Sequence, residues 1–196
     1  MTTMEKYEYL KGLVVGERKD SFLEFMKWVE ENTDYLNAPA SVKYNSCKKG
    51  GLLEHSVSVV STMIKFKNAI APDISNEQCV IVGLLHDLGK AGIAGTPLYL
   101  ENEPTERQKA FGFPATIPYR INENLTFMTH AHRSLYLASS GIALSPDEAQ
   151  AIVAHDGHVF QDNEQYKFKE SRLTALLHFA DYWSYTFIEE DASKKR

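Results

Sequence analysis

The chain has 196 residues, with 26 acidic against 21 basic side chains, and a net charge of -5 argues against a protein held to nucleic acid by non-specific attraction. Its 43% apolar content is enough to bury a real core in one domain, so a disulfide scaffold is not needed. The two cysteines, Cys47 in a polar loop and Cys79 in an apolar run, read as free thiols. The opening MTTMEKYEYLKG lacks the apolar stretch of a signal peptide, and no run approaches the ~20 apolar residues that span a bilayer. The expectation is a cytoplasmic protein with no membrane partner.

In chain order, Ser21 and Glu24 stand at capping-box spacing and open an amphipathic run to about Glu31. Gly50-Gly51 precede LLEHSVSVVSTMIKF, where Leu52, Val59, Met63 and Phe66 recur at helical spacing until Ala71-Pro72. Ser75 and Gln78 form the next capping box, ahead of CVIVGLLHDLGK, with Gly92 as its stop. The stretch from 96 to 128 holds Pro97, Pro104, Pro114 and Pro118 and shows no sustained periodicity, which predicts a long loop with short strands. HRSLYLASS ends at Gly141. Ser145, Pro146 and Glu148 combine a capping box with proline at the first helical position, and that helix ends near Gly157. SRLTALLHFADYWSYTFIEE reads as one long helix with Leu173, Leu176, Ala180, Trp183 and Phe187 inward. The fold class is therefore all-α, with six or seven helices and an insertion around 93–128 that is a long loop or short β-hairpin. Trp28 and Trp183 are expected in the core. Phe111, Phe113, Tyr119 and Phe127 are expected to anchor the insertion to the bundle, the alternative being that they stack on a nucleobase.

Seven histidines, at 55, 86, 130, 132, 155, 158 and 178, fall mostly on these helices. A single histidine there is ordinarily a core or surface residue with a satisfied hydrogen bond. The group is harder to explain so. Asp87 beside His86 lies in VGLLHDLGK, and Asp181 lies in LLHFADYWS. A carboxylate buried among apolar residues is costly unless it is paired or binds a cation. Several such groups on several apolar helices have one shared solution, a metal inside a helical bundle.

His55, then His86-Asp87, then Asp181 on successive helices resembles the HD-domain superfamily of metal-dependent phosphohydrolases. LLHDLGK is that family's most specific motif. APASVKYNSCKKGGLLEHS is similar to a stretch of several HD families, among them bacterial 3′–5′ exoribonucleases and small phage or bacterial hydrolases. The resemblance runs from about Asn37 to Glu189. It implies one HD-type domain over 1–196, with N-terminal helices 1–36, a metal-binding core 37–189 and a tail 190–196. Asn45 stands where related sequences often have histidine, which weakens any role for it.

The resemblance also implies a site. His55, His86, Asp87 and Asp181 would hold a first ion. Asp87 would bridge to a second, held by His130 and His155. His130 and His132 diverge by about 200° on a helix and cannot both face one ion. The serine four residues after His130, Ser134, fits the family register, so His130 is preferred. His132 is then behind the site or toward substrate. His158 belongs at the pocket rim or is simply exposed, and His178, three residues before Asp181, could orient it or pack in the core. Lys90 and Arg133 are candidate phosphate contacts, each with the alternative of a surface cation, and Lys90 is placed with Asp87 in the catalytic set. Lys43, Lys48 and Lys49 flank the GGLLEHS entry, with a solvated basic loop as their plain reading.

The implied activity is cleavage of a phosphate ester of a nucleotide or related small molecule by metal-activated hydroxide, with Fe, Mn, Co or Zn, or else Mg, as the divalent metal, in two copies. The alternatives are a 3′–5′ exonuclease or phosphodiesterase on short nucleic acid, which the acidic balance disfavours, a non-catalytic nucleotide-binding sensor, and an oxygenase. A surface around Tyr182 and Tyr185 could support a homo-oligomer.

Overall fold

A computed structural model of the chain describes residues 1–43, 46–158 and 161–189, with 161 and 162 described by backbone alone. Asn45 and the tail 190–196 lie outside the described residues. Within them the protein is predominantly helical, with eight α-helices and one small antiparallel sheet. Helix α1 spans Thr3–Lys11 and α2 Lys19–Asn32. The central helix α3 spans Gly51–Ile70, followed by α4 at Asn76–Leu85 and a 3-10 turn at Leu88–Ala91. Strand β1 (Tyr99–Glu101), α5 (Glu106–Ala110) and β2 (Tyr119–Ile121) form the insertion. Helices α6 (His130–Gly141), α7 (Pro146–Ala154) and α8 (Arg172–Trp183) complete the bundle, and a π-helical turn at Ser184–Ile188 continues α8.

Helix α3 is enclosed by α1, α4 and α8, and α7 closes the other side against α4, α6 and α8. The core runs through Leu52, Val59, Met63, Ile81, Leu84, Ile152 and Leu177, all with no exposed surface. Burying side chains of this size stabilises by about 1.5–3 kcal/mol each before entropy is counted. The capping boxes at Ser75 and Ser145 are formed, each hydroxyl accepting from the backbone N–H three residues on. Pro146 occupies the first turn of α7, where a missing N–H costs nothing.

Several expectations change. Helix α2 starts at Lys19, not at a Ser21 cap, because Arg18 is clamped by Glu77 and by both oxygens of buried Glu148, and the helix runs straight on from the preceding 3-10 turn. Ser21 Oγ instead donates to the Arg18 carbonyl at 3.0 Å. The segment 96–128 is partly ordered by the pairing Tyr99↔Ile121 and Glu101↔Tyr119, with α5 between the strands. Its phenylalanines do not anchor it. Phe111, Phe113 and Phe127 are all exposed, Phe127 at 91%. Trp28 and Trp183 are half-exposed, lying on Phe25 and edge-on to Phe66, and Phe187 is exposed. No described helix is long and apolar enough to cross a membrane.

Candidate metal centre

His86 sits where α4 ends. It is the C-cap, and its ring Nδ1 lies 2.9 Å from the Gly83 carbonyl. The last carbonyls of a helix lack intrahelical partners, and a carbonyl only accepts, so Nδ1 carries the proton and Nε2 keeps its lone pair. His155 repeats the device at the end of α7, with Nδ1 2.8 Å from the Ile152 carbonyl. Two helix ends thus fix two rings with Nδ1 on a carbonyl and Nε2 aimed at one place. His130 is the first residue of α6, behind its Thr129 cap. His55 comes from α3, and Asp181 from α8.

Asp87 lies at the junction of α4 and the 3-10 turn and is 1% exposed. Its two oxygens face different groups. Oδ2 lies 3.4 Å from His55 Nε2, 3.5 Å from His86 Nε2 and 2.5 Å from Lys90 Nζ. Oδ1 lies 3.5 Å from His130 Nε2 and 3.6 Å from His155 Nε2, and it has no hydrogen-bond partner. His130 Nε2 is likewise buried without a well-aligned one, its nearest carboxylate oxygen being Asp156 Oδ2 at 3.1 Å. The donor atoms form three overlapping groups, each within 4.8 Å: His55, His86 and Asp181; His86, Asp87 and His155; His130, His155 and Asp156. Buried polar atoms are otherwise almost always paired. Two orphaned donors among imidazoles and carboxylates fit divalent metal ions, which such atoms ligate.

Gly89 lets this junction form. A Cβ there would collide with the His130 carbonyl oxygen, so only glycine brings the turn against the start of α6. Its N–H donates to Ser134 Oγ at 2.8 Å, which ties the LLHDLGK segment to the histidine helix.

The electrostatics follow the same geometry. Burial alone would raise the Asp87 carboxyl, but Lys90 and His86 beside it hold it well below the usual range. Burial alone would lower His55, but hydrogen bonds to Asp181 and Glu189 push it up to about 10. His155 is pushed to about 9, burial again being outweighed, here by Asp156 and Asp87. His86, whose burial dominates, falls to about 4 and is neutral.

A pocket of about 330 Å³ opens over these groups, lined by His55, Asp87, Lys90, His155, Asp156 and Asp181, with His178, Tyr182 and Tyr185 among its walls. Lys90 is therefore at the site, engaged with Asp87 in this structure. Arg133 is buried, and its guanidinium donates to the Gly89 and Thr126 carbonyls rather than facing the pocket. His132 is exposed, with Nδ1 2.7 Å from Thr129 Oγ1. His158 is exposed, 3.9 Å from Glu170. His178 donates from Nδ1 to the His155 carbonyl at 2.8 Å. Two carboxylates enter that sequence reasoning did not assign. Asp156 Oδ2 lies 3.1 Å from His130 Nε2, and the His155-Asp156 doublet was its only trace. Glu189 Oε1 lies 2.6 Å from His55 Nδ1, and nothing in the local sequence marks it.

Comparison with protein-family models, with curated proteins and with solved structures finds no match for this chain.

Proposed function

We propose that the protein is a metal-dependent phosphohydrolase of the HD type, cleaving a phosphate ester of a nucleotide or a related small molecule. One observation carries this reading: the Asp87 carboxylate faces His55 and His86 with one oxygen and His130 and His155 with the other. His55, His86, Asp87 and Asp181 would hold one ion. His130, His155 and Asp87 would hold a second, with Asp156 in reach. Divalent ions bound there supply Lewis acidity and bring the pKa of a water toward neutrality, which is what hydrolysis at phosphorus requires.

The chain's own residues do the rest. The helix-end histidines donate from Nδ1 to a carbonyl, which fixes the direction of Nε2 and leaves it as the nitrogen that would ligate. Lys90 puts a positive charge on the pocket wall beside Asp87, where phosphate oxygens would enter. Tyr182 and Tyr185 give the wall an aromatic side against which the rest of a nucleotide can lie.

The test is a screen of nucleoside mono-, di- and triphosphates, cyclic nucleotides and short RNA with protein loaded in turn with Mn²⁺, Co²⁺, Fe²⁺, Zn²⁺ and Mg²⁺. Metal-dependent hydrolysis of at least one phosphate ester is expected. Tight metal binding with no hydrolysis of any of them would refute the enzyme reading.

A further inference from the structure

His55 has a problem that His86 and His155 do not. It lies within α3, where the backbone carbonyls are taken by the helix itself. No carbonyl at a helix end is there to hold its Nδ1. Glu189 supplies the acceptor from 134 residues away, with Oε1 at 2.6 Å. Its other oxygen accepts from Ser46 Oγ at 2.7 Å. Ser46 is itself held. Its carbonyl accepts from the Ala40 and Lys48 N–H groups, and it lies so close to α3 that a Cβ on Gly51 would collide with the Ser46 carbonyl oxygen. Glu189 follows the π-helical turn, and its N–H donates to the Ser184 carbonyl at 3.0 Å. Such wide turns change the rotation at which a helix delivers its next residues, and they concentrate at functional sites. Here the end of α8 and its extension hold both nitrogens of one imidazole, Asp181 at Nε2 (3.1 Å) and Glu189 at Nδ1.

We infer that Glu189 is a positioning residue for the metal centre, which accepts the His55 Nδ1 proton and so leaves the Nε2 lone pair to the ion shared with His86 and Asp181. The two ring nitrogens point away from each other, so Glu189 acts through the imidazole and is not itself a ligand. Carboxylates in this position fix the tautomer and orientation of a ligating histidine, and their loss costs about 10–100-fold in metal affinity. The inference rests on the metal centre proposed above.

The experiment is Co²⁺ titration of the full chain, followed by visible absorption and by metal content after gel filtration, for wild type, Glu189→Ala, Glu189→Gln and Glu189→Asp. Glutamine keeps the acceptor at the same reach without the charge. Aspartate keeps the charge and withdraws the acceptor by one methylene. Glu189→Gln is expected to stay closest to wild type, while Glu189→Asp and Glu189→Ala weaken one ion by about 10–100-fold and leave the other. Aspartate equal to wild type, or no variant differing from it, overturns the inference while the metal centre stands. Were Glu189→Ala not to fold, the relative affinities of the glutamine and aspartate variants decide between the same two outcomes. A wild type that binds no Co²⁺ removes the metal centre itself, and this inference with it.

Discussion

The two sides of the candidate metal centre are built differently. On one side His55 and His86 are 4% and 0% exposed, and His55 is held by carboxylates from the far end of the chain. On the other, the side chains of His130 and Asp156 are 27% and 21% exposed, and Asp156 lines two neighbouring pockets. On the dry side His55 gains its geometry from long-range packing, while His86 is set by the end of α4. The open side gains its geometry from helix ends, Thr129 before His130 and the last turn of α7 before His155. The difference is one of degree, since the Asp181 side chain on the first side is 20% exposed and that of His155 on the second 1%, but an ion held beside His130 and Asp156 would have the more open surroundings for substrate oxygens. Asp87 belongs to both, so the comparison can be broken at its middle or sharpened on either side.

The largest effect is expected at the middle. Asp87→Ala should lose both ions and all phosphohydrolase activity, as metal content after gel filtration and turnover with added Mn²⁺ will show. Normal turnover by that variant would place the chemistry elsewhere. A smaller and one-sided loss is expected on the open side. His130→Ala should retain about one ion fewer than His132→Ala, because only the His130 ring reaches Asp87 and Asp156. The reverse order in metal analysis would transfer the ligand role to His132.

A third effect is graded with pH. His55 and His155, raised to about 10 and about 9, must each give up a proton to bind an ion, whereas His86 at about 4 already has. Apparent Mn²⁺ affinity should rise with pH between about 6 and 9, by up to about tenfold per unit for each proton released. Affinity at the dry side should go on rising to the higher pH. The metal-free protein has the opposite dependence. A histidine raised in the folded state stabilises it fully below its ordinary value near 6.5, and that contribution is lost as pH climbs through about 9 to 10. Melting temperature in chelator should fall across that window. A flat profile for both measurements would mean that neither histidine carries a proton in the metal-free protein.

Legibility in the sequence followed the range of the interaction. The caps at Ser75 and Ser145 were readable because acceptor and donor are three residues apart. The convergence of His55, His86, Asp87, His130, His155 and Asp181 was approachable because each is an expensive group in an apolar helix. The start of α2 was misread, since Glu77 and Glu148 hold Arg18 from distant segments. Phe187 departs from the inward face because the helical periodicity does not survive the π-helical turn, whereas Trp183, still within α8, lies edge-on to Phe66 and half-exposed.

The amino-acid sequence alone determined the helical class, the main helix boundaries and the set of costly polar side chains, all properties of neighbouring residues and of composition. The tertiary structure decided which of those side chains meet. It turned His130 inward and His132 outward, committed Arg133 to two carbonyls, and brought Glu189 to His55. Those outcomes depend on how helices pack and where a turn widens, and packing is a property of the whole chain that no local pattern encodes.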